Sequence, residues 1–162
     1  MYLFKALDAY PYDLEEAIEA LNYALSYDDK NAKALCLMGK LYAEQLGEYE
    51  AAKECYAQAM ASNMEVPYIY PDYVRTLIMN EDYKEAQKLL DFAIDLKAVD
   101  KAALYFYQGL LNEVQSEYKE AINAYKQAKK HDRVIPCLLQ IHIAEEDTKF
   151  GLDKAELDEL NN

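Results

Sequence analysis

The side chains best suited to chemistry in this chain are its histidines and cysteines, and their spacing does not favour catalysis. His142 lies within one helical turn of Glu145 and Glu146, but a protein zinc site needs three or more ligands, so no metal site is predicted. The cysteines, expected to be buried as small apolar side chains, are Cys36, Cys55 and Cys137. The sequence has no glycine-rich phosphate loop and no nucleophile elbow. It therefore predicts no catalytic residue, no metal and no cofactor, and the protein is expected not to be an enzyme.

The charge balance restricts the class of partner. The chain has a formal net charge of −13 at pH 7 and a sequence pI of about 4.5. Nucleic acids and anionic membrane surfaces repel so acidic a protein, so neither is an expected partner. No apolar run approaches the roughly 18 residues needed to cross a bilayer, and no secretory signal is expected at the start. Cysteines that are odd in number and have no close pair indicate a reduced, cytoplasmic setting.

Composition and periodicity favour helices. Glycine and proline number four each in 162 residues, too few for the tight turns of a sheet protein. Four segments resemble one another, and their first alanines recur after 35, 34 and 35 residues. Within each segment the recurring residues lie at i, i+3, i+7 and i+10, which is one stripe of an α-helix. The recurring alanines and tyrosines are Ala17, Ala24, Tyr49, Ala52, Ala59, Tyr83, Ala86, Ala93, Tyr118, Ala121 and Ala128.

A second apolar pattern lies between consecutive copies. Residues 35–42, 70–77 and 104–111 have apolar side chains at helical spacing. Each is predicted to be a helix antiparallel to its neighbour, and the 35-residue copies are expected to have one extra residue in the turn. Methyl side chains at the recurring alanines let neighbouring helices approach closely.

The starts of the alanine-bearing helices have capping signals. Asp13 and Asp82 are each followed three residues later by an acid, which is the spacing of a capping box. Ser116 is predicted to cap the fourth copy, and Gly47 to break the chain before the second. The repeating unit is therefore predicted to be a helical hairpin.

These features resemble the tetratricopeptide repeat over about residues 13–135. Tyr49, Tyr83 and Tyr118 occupy the family's tyrosine position in the second helix, and Gly39 is the residue that plainly fills the small first-helix position. The family's closing proline and its tryptophan are absent. The resemblance implies an all-α fold, a right-handed superhelical solenoid of antiparallel helix pairs with about four repeats and a C-terminal capping helix.

One domain is predicted for the whole chain. Its repeats are expected at approximately 1–31, 32–66, 67–100 and 101–135, with a capping helix and acidic tail over 136–162. The truncated first helix is expected to point three apolar side chains inward, namely Leu3, Phe4 and Leu7. The capping helix is expected to cover the last repeat with Leu138, Leu139, Ile141 and Ile143. The tail around Leu157 and Leu160 is a candidate to occupy the concave surface as a built-in competitor.

In this family the first helices of successive repeats line a concave groove that binds peptides. The resemblance places in that groove Lys33, Cys36, Lys40, Glu44, Tyr68, Pro71, Arg75, Met79, Tyr105, Gly109 and Asn112. Basic groups beside aromatic rings suit a segment with acidic and apolar side chains. The alternative is that these lysines only solvate a helix face. The clamp with which some members hold the C-terminal carboxylate of heat-shock chaperones is not matched, because Leu37 and Asp72 depart from its pattern.

The leading hypothesis for the function is a non-enzymatic scaffold or adaptor that binds an unidentified protein or peptide in the concave groove. One alternative is a structural protein that associates weakly with itself through the solenoid ends. A nucleic-acid-binding helical repeat is a further alternative, which the net charge of −13 disfavours.

Overall fold

The computed structural model describes residues 1–131, and within this range the chain is helical, without any strand. Its helices are α1 (Tyr2–Ala9), α2 (Leu14–Tyr27), α3 (Ala32–Leu41), α4 (Tyr49–Ser62), α5 (Ile69–Met79), α6 (Tyr83–Ala93), α7 (Lys101–Val114) and α8 (Tyr118–Lys130). A π-helical turn, Tyr42–Leu46, continues α3. The predicted all-α class is confirmed for the described residues. The predicted capping helix and tail, with Cys137 and His142, lie outside them.

The helices pack as hairpins that stack on one another. The most extensive contacts join α1 with α2, α3 with α4, α5 with α6, and α7 with α8. Each later first helix also contacts the second helix of the preceding hairpin, as α5 contacts α4. Apolar side chains of neighbouring hairpins share these interfaces, so each hairpin depends on its neighbours to bury its core.

The stack is tighter on one side than on the other. First helices contact one another along the chain, α1 with α3, α3 with α5, and α5 with α7. Among the described residues, no two second helices contact each other as extensively. A stack of hairpins whose helices lie closer together on one side is concave on that side. The first helices therefore line the inner face.

The recurring alanines lie where helices approach one another. Ala52, Ala59, Ala86 and Ala93 are fully buried, whereas Ala24 is half-buried. Helix axes in proteins are usually separated by about 8–10 Å, depending on the side chains at the contact. Methyl groups at a contact allow helices to approach toward the near end of that range, which is a physical reason for the alanines to recur with each hairpin.

Glycine faces a buried tyrosine within two of the hairpins. A Cβ on Gly39 would lie 2.9 Å from the ring of Tyr56, and one on Gly109 would lie 2.3 Å from the ring of Tyr125. Both rings are buried. Gly109 thus fills the small first-helix position as Gly39 does, and the prediction that Gly39 alone plainly fills it is wrong. The signal was present, because the two glycines are two 35-residue repeats apart.

The π-helical turn contains one of the extra residues of the 35-residue copies. From Gly39 to the start of α4 is ten residues, whereas from Gly109 to the start of α8 is nine. The additional residue is accommodated within the helix, and Gly47 ends the π turn with a φ of 66°. A second extra residue lies in the linker after α6. The prediction that both lie in the turn between paired helices is therefore wrong.

The predicted capping box at α2 is present in part, and the one at α6 is not. Asp13 Oδ1 accepts a hydrogen bond from the backbone N–H of Glu16 at 3.0 Å, so this cap is confirmed. The predicted cap by Asp82 is wrong. Its carboxylate instead accepts hydrogen bonds from Lys53 Nζ and Asn80 Nδ2, both at 2.7 Å. Asp82 therefore ties α4 to the turn between α5 and α6.

Other helix starts also differ from the prediction. Ser116 has a φ of 64° and α8 has no side-chain cap, so the cap predicted for Ser116 is wrong. Two caps were missed: Asn31 Oδ1 accepts from the N–H of Ala34 at 3.1 Å, and Asp100 Oδ1 accepts from that of Ala103 at 2.9 Å. An asparagine or aspartate directly before an apolar helical pattern was the available signal.

The first helix is rotated relative to the prediction. Ala6 and Ala9 are its buried residues, and Leu3 packs against the same N-terminal core. Phe4 and Leu7 are 71% and 49% exposed, so the prediction that they face inward is wrong. The stripe at i, i+3 and i+6 that buries the two alanines turns these larger side chains outward.

Candidate peptide-binding groove

Most of the residues predicted for the groove belong to two neighbouring first helices. Those on α3, its π turn and α5 are Lys33, Cys36, Lys40, Glu44, Pro71, Arg75 and Met79, and Tyr68 directly precedes α5. α3 and α5 are in contact, and equivalent positions on them are 35 residues apart, as Lys40 and Arg75 are. The structure therefore brings the predicted residues of these two helices together.

Glu44 connects side chains from three hairpins. Its Oε2 accepts a hydrogen bond from the hydroxyl of Tyr10 at 2.9 Å, and Gln45 Nε2 donates to the same hydroxyl at 3.5 Å. Its Oε1 accepts from the guanidinium of Arg75 on α5. The π turn places Glu44 between these partners, and π turns are frequent at functional sites. The cation of Arg75 is therefore already paired inside the groove.

A small polar cavity lies beside this ion pair. Its volume is about 120 Å³, and its lining residues are Ala43, Glu44, Tyr49, Tyr56, Asp72, Arg75, Thr76 and Met79. Burial raises the pKa of Asp72, and the nearby cation of Lys40 opposes that rise. Pockets that enclose small molecules usually measure about 300–1,000 Å³, so this cavity suits the tip of one side chain.

The cysteines of the described range are unsuited to chemistry. Burial raises the pKa of Cys36 to about 12 and that of Cys55 to about 11, so both are thiols at neutral pH. Cys36 is buried within the groove floor and offers little surface to a ligand. In residues 1–131, no three or more His, Cys, Asp or Glu side chains are grouped so as to hold a metal ion.

The exposed part of the groove is mixed in character. Tyr68 and Met79 are 43% and 50% exposed and supply apolar surface, while Lys33 is exposed at the start of α3. Burial raises the pKa of Tyr68, and the nearby Cys36 raises it further. Tyr68 therefore lies near Cys36 of α3.

The residues predicted on α7 lie on other sides of that helix. Gly109 faces Tyr125 of α8, and Tyr105 stacks on the histidine after α8 with ring centroids 5.4 Å apart. Asn112 is 7% exposed, and its side-chain oxygen accepts a hydrogen bond from Gln108 at 3.0 Å. Gly109 and Asn112 are therefore closed to a ligand, and the predicted register of α7 needs correction.

Aligning Gly109 with Gly39 gives the corrected register. The α7 positions equivalent to Cys36, Lys40 and Glu44 are Phe106, Leu110 and Val114. Val114 is 46% exposed, much like Met79 at the corresponding position of α5. The inner face thus changes from charged on α3 to apolar on α7. The equal spacing of the two glycines was the signal that would have located these residues.

None of the helices in residues 1–131 combines the length and the apolar character needed to cross a membrane.

No family model matches the chain, and no curated protein matches it. One crystal structure of MamA aligns over 91% of this chain and 84% of the MamA chain, at 23% sequence identity and a TM-score of 0.72. A second crystal structure of MamA aligns over 99% of this chain and 86% of the MamA chain, at 22% sequence identity and a TM-score of 0.77.

A structure of PilF from Pseudomonas aeruginosa aligns over 98% of this chain and 71% of the PilF chain, at 18% sequence identity and a TM-score of 0.81. MamA and PilF are tetratricopeptide-repeat proteins. At such low identity the likeness shows the fold alone, and at that level it confirms the resemblance in the sequence. The chain therefore has the fold of a tetratricopeptide-repeat solenoid.

Proposed function

We propose that this protein is a non-enzymatic scaffold that binds a segment of a partner protein along the inner face of its first helices. The observation that carries the proposal is the cavity between the π turn, α4 and α5, where exposed Met79 lies beside Arg75 and Asp72. The likeness in fold to tetratricopeptide-repeat proteins supports a scaffold. The bound segment is proposed to be extended, because the groove crosses several helices rather than following one.

The segment is proposed to offer a carboxylate to Arg75 and an apolar side chain to Met79. Arg75 is held by Glu44 in the free protein, but the two side chains are 42% and 23% exposed, and ion pairs screened by solvent contribute only about 1 kcal/mol. A ligand carboxylate can therefore replace Glu44 at small cost, and Glu44 keeps its hydrogen bond from Tyr10. Asp72 reduces the positive potential of the groove, which favours a segment with few acidic groups.

Reversing two groove charges is expected to weaken partner binding strongly. The double variant Lys40→Glu/Arg75→Glu should reduce the captured partner at least about tenfold, because charge-assisted hydrogen bonds each contribute about 1.5–3 kcal/mol. Glu44→Gln should increase capture, because it releases Arg75. The measurement is affinity capture from an extract of the source cells, quantified by mass spectrometry.

A matched control separates the groove from overall charge. Lys97→Glu/Lys101→Glu changes the net charge equally at exposed positions around the start of α7. We expect this control to capture the same proteins as the wild type. If the groove variant also retains them in full, the groove does not bind the partner.

The predicted lack of nucleic-acid and membrane partners remains a prediction from the net charge of −13. The cytoplasmic location likewise remains a prediction. It is supported by the free thiols of Cys36 and Cys55.

A second candidate function is self-association through the N-terminal end of the solenoid. Phe4 and Leu7 are 71% and 49% exposed on α1, and Tyr12 after it is 93% exposed. No other residue of the described range covers the exposed parts of these three side chains. Light scattering at two concentrations is expected to show association of the wild type that Phe4→Ser/Leu7→Ser removes. A wild type that stays monomeric at both concentrations would reject this function.

A further inference from the structure

The solenoid has a second concave site, between the second helices α4 and α6 and away from the groove. These two helices are not closely packed on each other, and side chains of α5 form the floor between them. We call this site the outer cleft. Its volume is about 290 Å³, and its lining residues are Met60, Met64, Tyr73, Leu77, Glu85, Lys88, Leu89 and Phe92. The outer cleft shares no lining residue with the inner cavity.

One buried side chain holds both rims of the outer cleft. The hydroxyl of Tyr70 donates a hydrogen bond to the carbonyl of Met64, and its ring centroid lies 5.7 Å from that of Phe92. Tyr70 itself is fully buried. On the floor, the ring of Tyr73 stacks on that of Tyr56 with centroids 5.4 Å apart. The outer cleft is therefore formed before anything binds, which lowers the ordering cost of binding.

The rims are apolar and open to solvent. Met64 and Phe92 are 48% and 40% exposed. Single exposed apolar residues are ordinary on a protein surface, but here two of them border an apolar depression. Aromatic residues and methionine are enriched in protein interfaces, and methionine adapts its shape to different partners. The outer cleft therefore has the composition of an interaction surface.

The charged side chains around the outer cleft are mixed in sign. Glu85 and Lys88 line the cleft, while Glu65 lies just after α4 and Asp95 just after α6. All four residues are exposed. Further exposed lysines lie close to these carboxylates in the chain, so the local charge is balanced. The net charge of −13 of the whole chain favours a positively charged partner, because complementary charge steers association and disfavours acidic competitors.

We propose that the outer cleft binds a basic amphipathic helix of a partner protein. Such a helix would place the apolar stripe of its i, i+3, i+4 and i+7 residues between α4 and α6, and its lysines or arginines beside the carboxylates. The volume of about 290 Å³ lies just below the range for small-molecule pockets, about 300–1,000 Å³, and suits a few side chains inserted from a helix. Because the outer cleft and the inner cavity share no lining residue, a helix bound in the outer cleft leaves the inner cavity open.

The test uses the full chain and synthetic peptides of about 16 residues, with binding measured by calorimetry. The first peptide combines a leucine stripe with lysine and glutamine. The second has glutamate in place of lysine, and the third has serine in place of leucine. The first peptide is expected to bind at least about tenfold more tightly than either of the others, because truncating interface anchors typically has effects of this size. Equal binding of the second or third peptide would overturn the proposal.

Variants of the chain locate the bound peptide. Met64→Ser/Phe92→Ser is expected to weaken binding of the first peptide at least about tenfold, whereas Met79→Ser, an equally exposed change in the groove, should leave it unchanged. Lys88→Glu, which removes the cation of the outer cleft, should strengthen binding several-fold. The proposal is overturned if the double variant folds and binds normally. If that variant does not fold, unchanged affinity in Lys88→Glu overturns it instead.

Discussion

Replacing Tyr56 with alanine is expected to lower the free energy of unfolding by about 3–5 kcal/mol, the usual cost of deleting a large buried aromatic side chain. Tyr56 is fully buried on α4, where its ring fills the space left by Gly39 on α3 and stacks on Tyr73 of α5. It also lines the inner cavity of about 120 Å³. Its loss therefore removes contacts among three helices and enlarges an existing void.

Two control variants test this explanation by chemical denaturation. Tyr56→Phe keeps the ring and loses only the hydroxyl that faces Thr76, so it is expected to cost about 0.5–1.5 kcal/mol. Tyr12→Ala changes a side chain that is 93% exposed and should alter stability by no more than about 0.5 kcal/mol. An unfolding free energy of Tyr56→Ala within about 1 kcal/mol of the wild type would contradict the described packing.

Gly109→Ala is expected to destabilise the protein by about 2–3 kcal/mol, as overpacking of a core does. The new Cβ would lie 2.3 Å from Cε1 and 2.5 Å from Cδ1 of the buried ring of Tyr125. In an exposed helix the same change stabilises by about 1 kcal/mol, because alanine has the higher helix propensity. The sign of the measured change therefore distinguishes tight packing from propensity.

The third hairpin indicates which second substitution should compensate. At the positions equivalent to Gly109 and Tyr125 it has Val74 and Leu90, both buried, so a larger first-helix residue faces a smaller second-helix one. Adding Tyr125→Leu to Gly109→Ala should therefore recover stability, with a coupling energy of about 1 kcal/mol or more. Strictly additive effects of the two substitutions would show that these residues do not pack on each other.

The second helices are the part of the fold that the sequence predicts best. Tyr49, Tyr83 and Tyr118 are the first residues of α4, α6 and α8, as their recurrence indicates. The reason is that these helices repeat one packing solution, with a helical stripe of alanines against each neighbour. A periodic pattern that is used repeatedly can be recognised even where individual copies vary.

Features that depend on one local choice are harder to predict. An extra residue can enlarge a loop or enter a helix, and in the second hairpin it enters the helix as the turn Tyr42–Leu46. The apolar spacing of residues 35–42 is compatible with an extra residue in the loop and with one in the helix. Gly47 indicates only where the turn ends. The π turn is nevertheless what places Glu44 in the groove.

The chemistry of the groove depends on contacts between residues far apart in the chain. From the sequence alone, Arg75 is expected to be available to a ligand. In the structure it donates a hydrogen bond to Glu44, which lies 31 residues earlier. No local pattern of residues indicates that pairing. In α7 the information was present, because Gly109 aligned with Gly39 assigns Asn112 to the interior.

Photo-crosslinking from position 79 tests the central claim, that a partner lies along the inner face, most directly. Met79 is 50% exposed at the edge of the inner cavity, so a benzophenone amino acid there should leave the fold intact. We expect a covalent adduct with a partner protein in an extract of the source cells, and its loss when Lys40→Glu/Arg75→Glu is added. The same probe at exposed Asn123 on α8 should form no such adduct. An adduct from Asn123 but none from position 79 would contradict the claim.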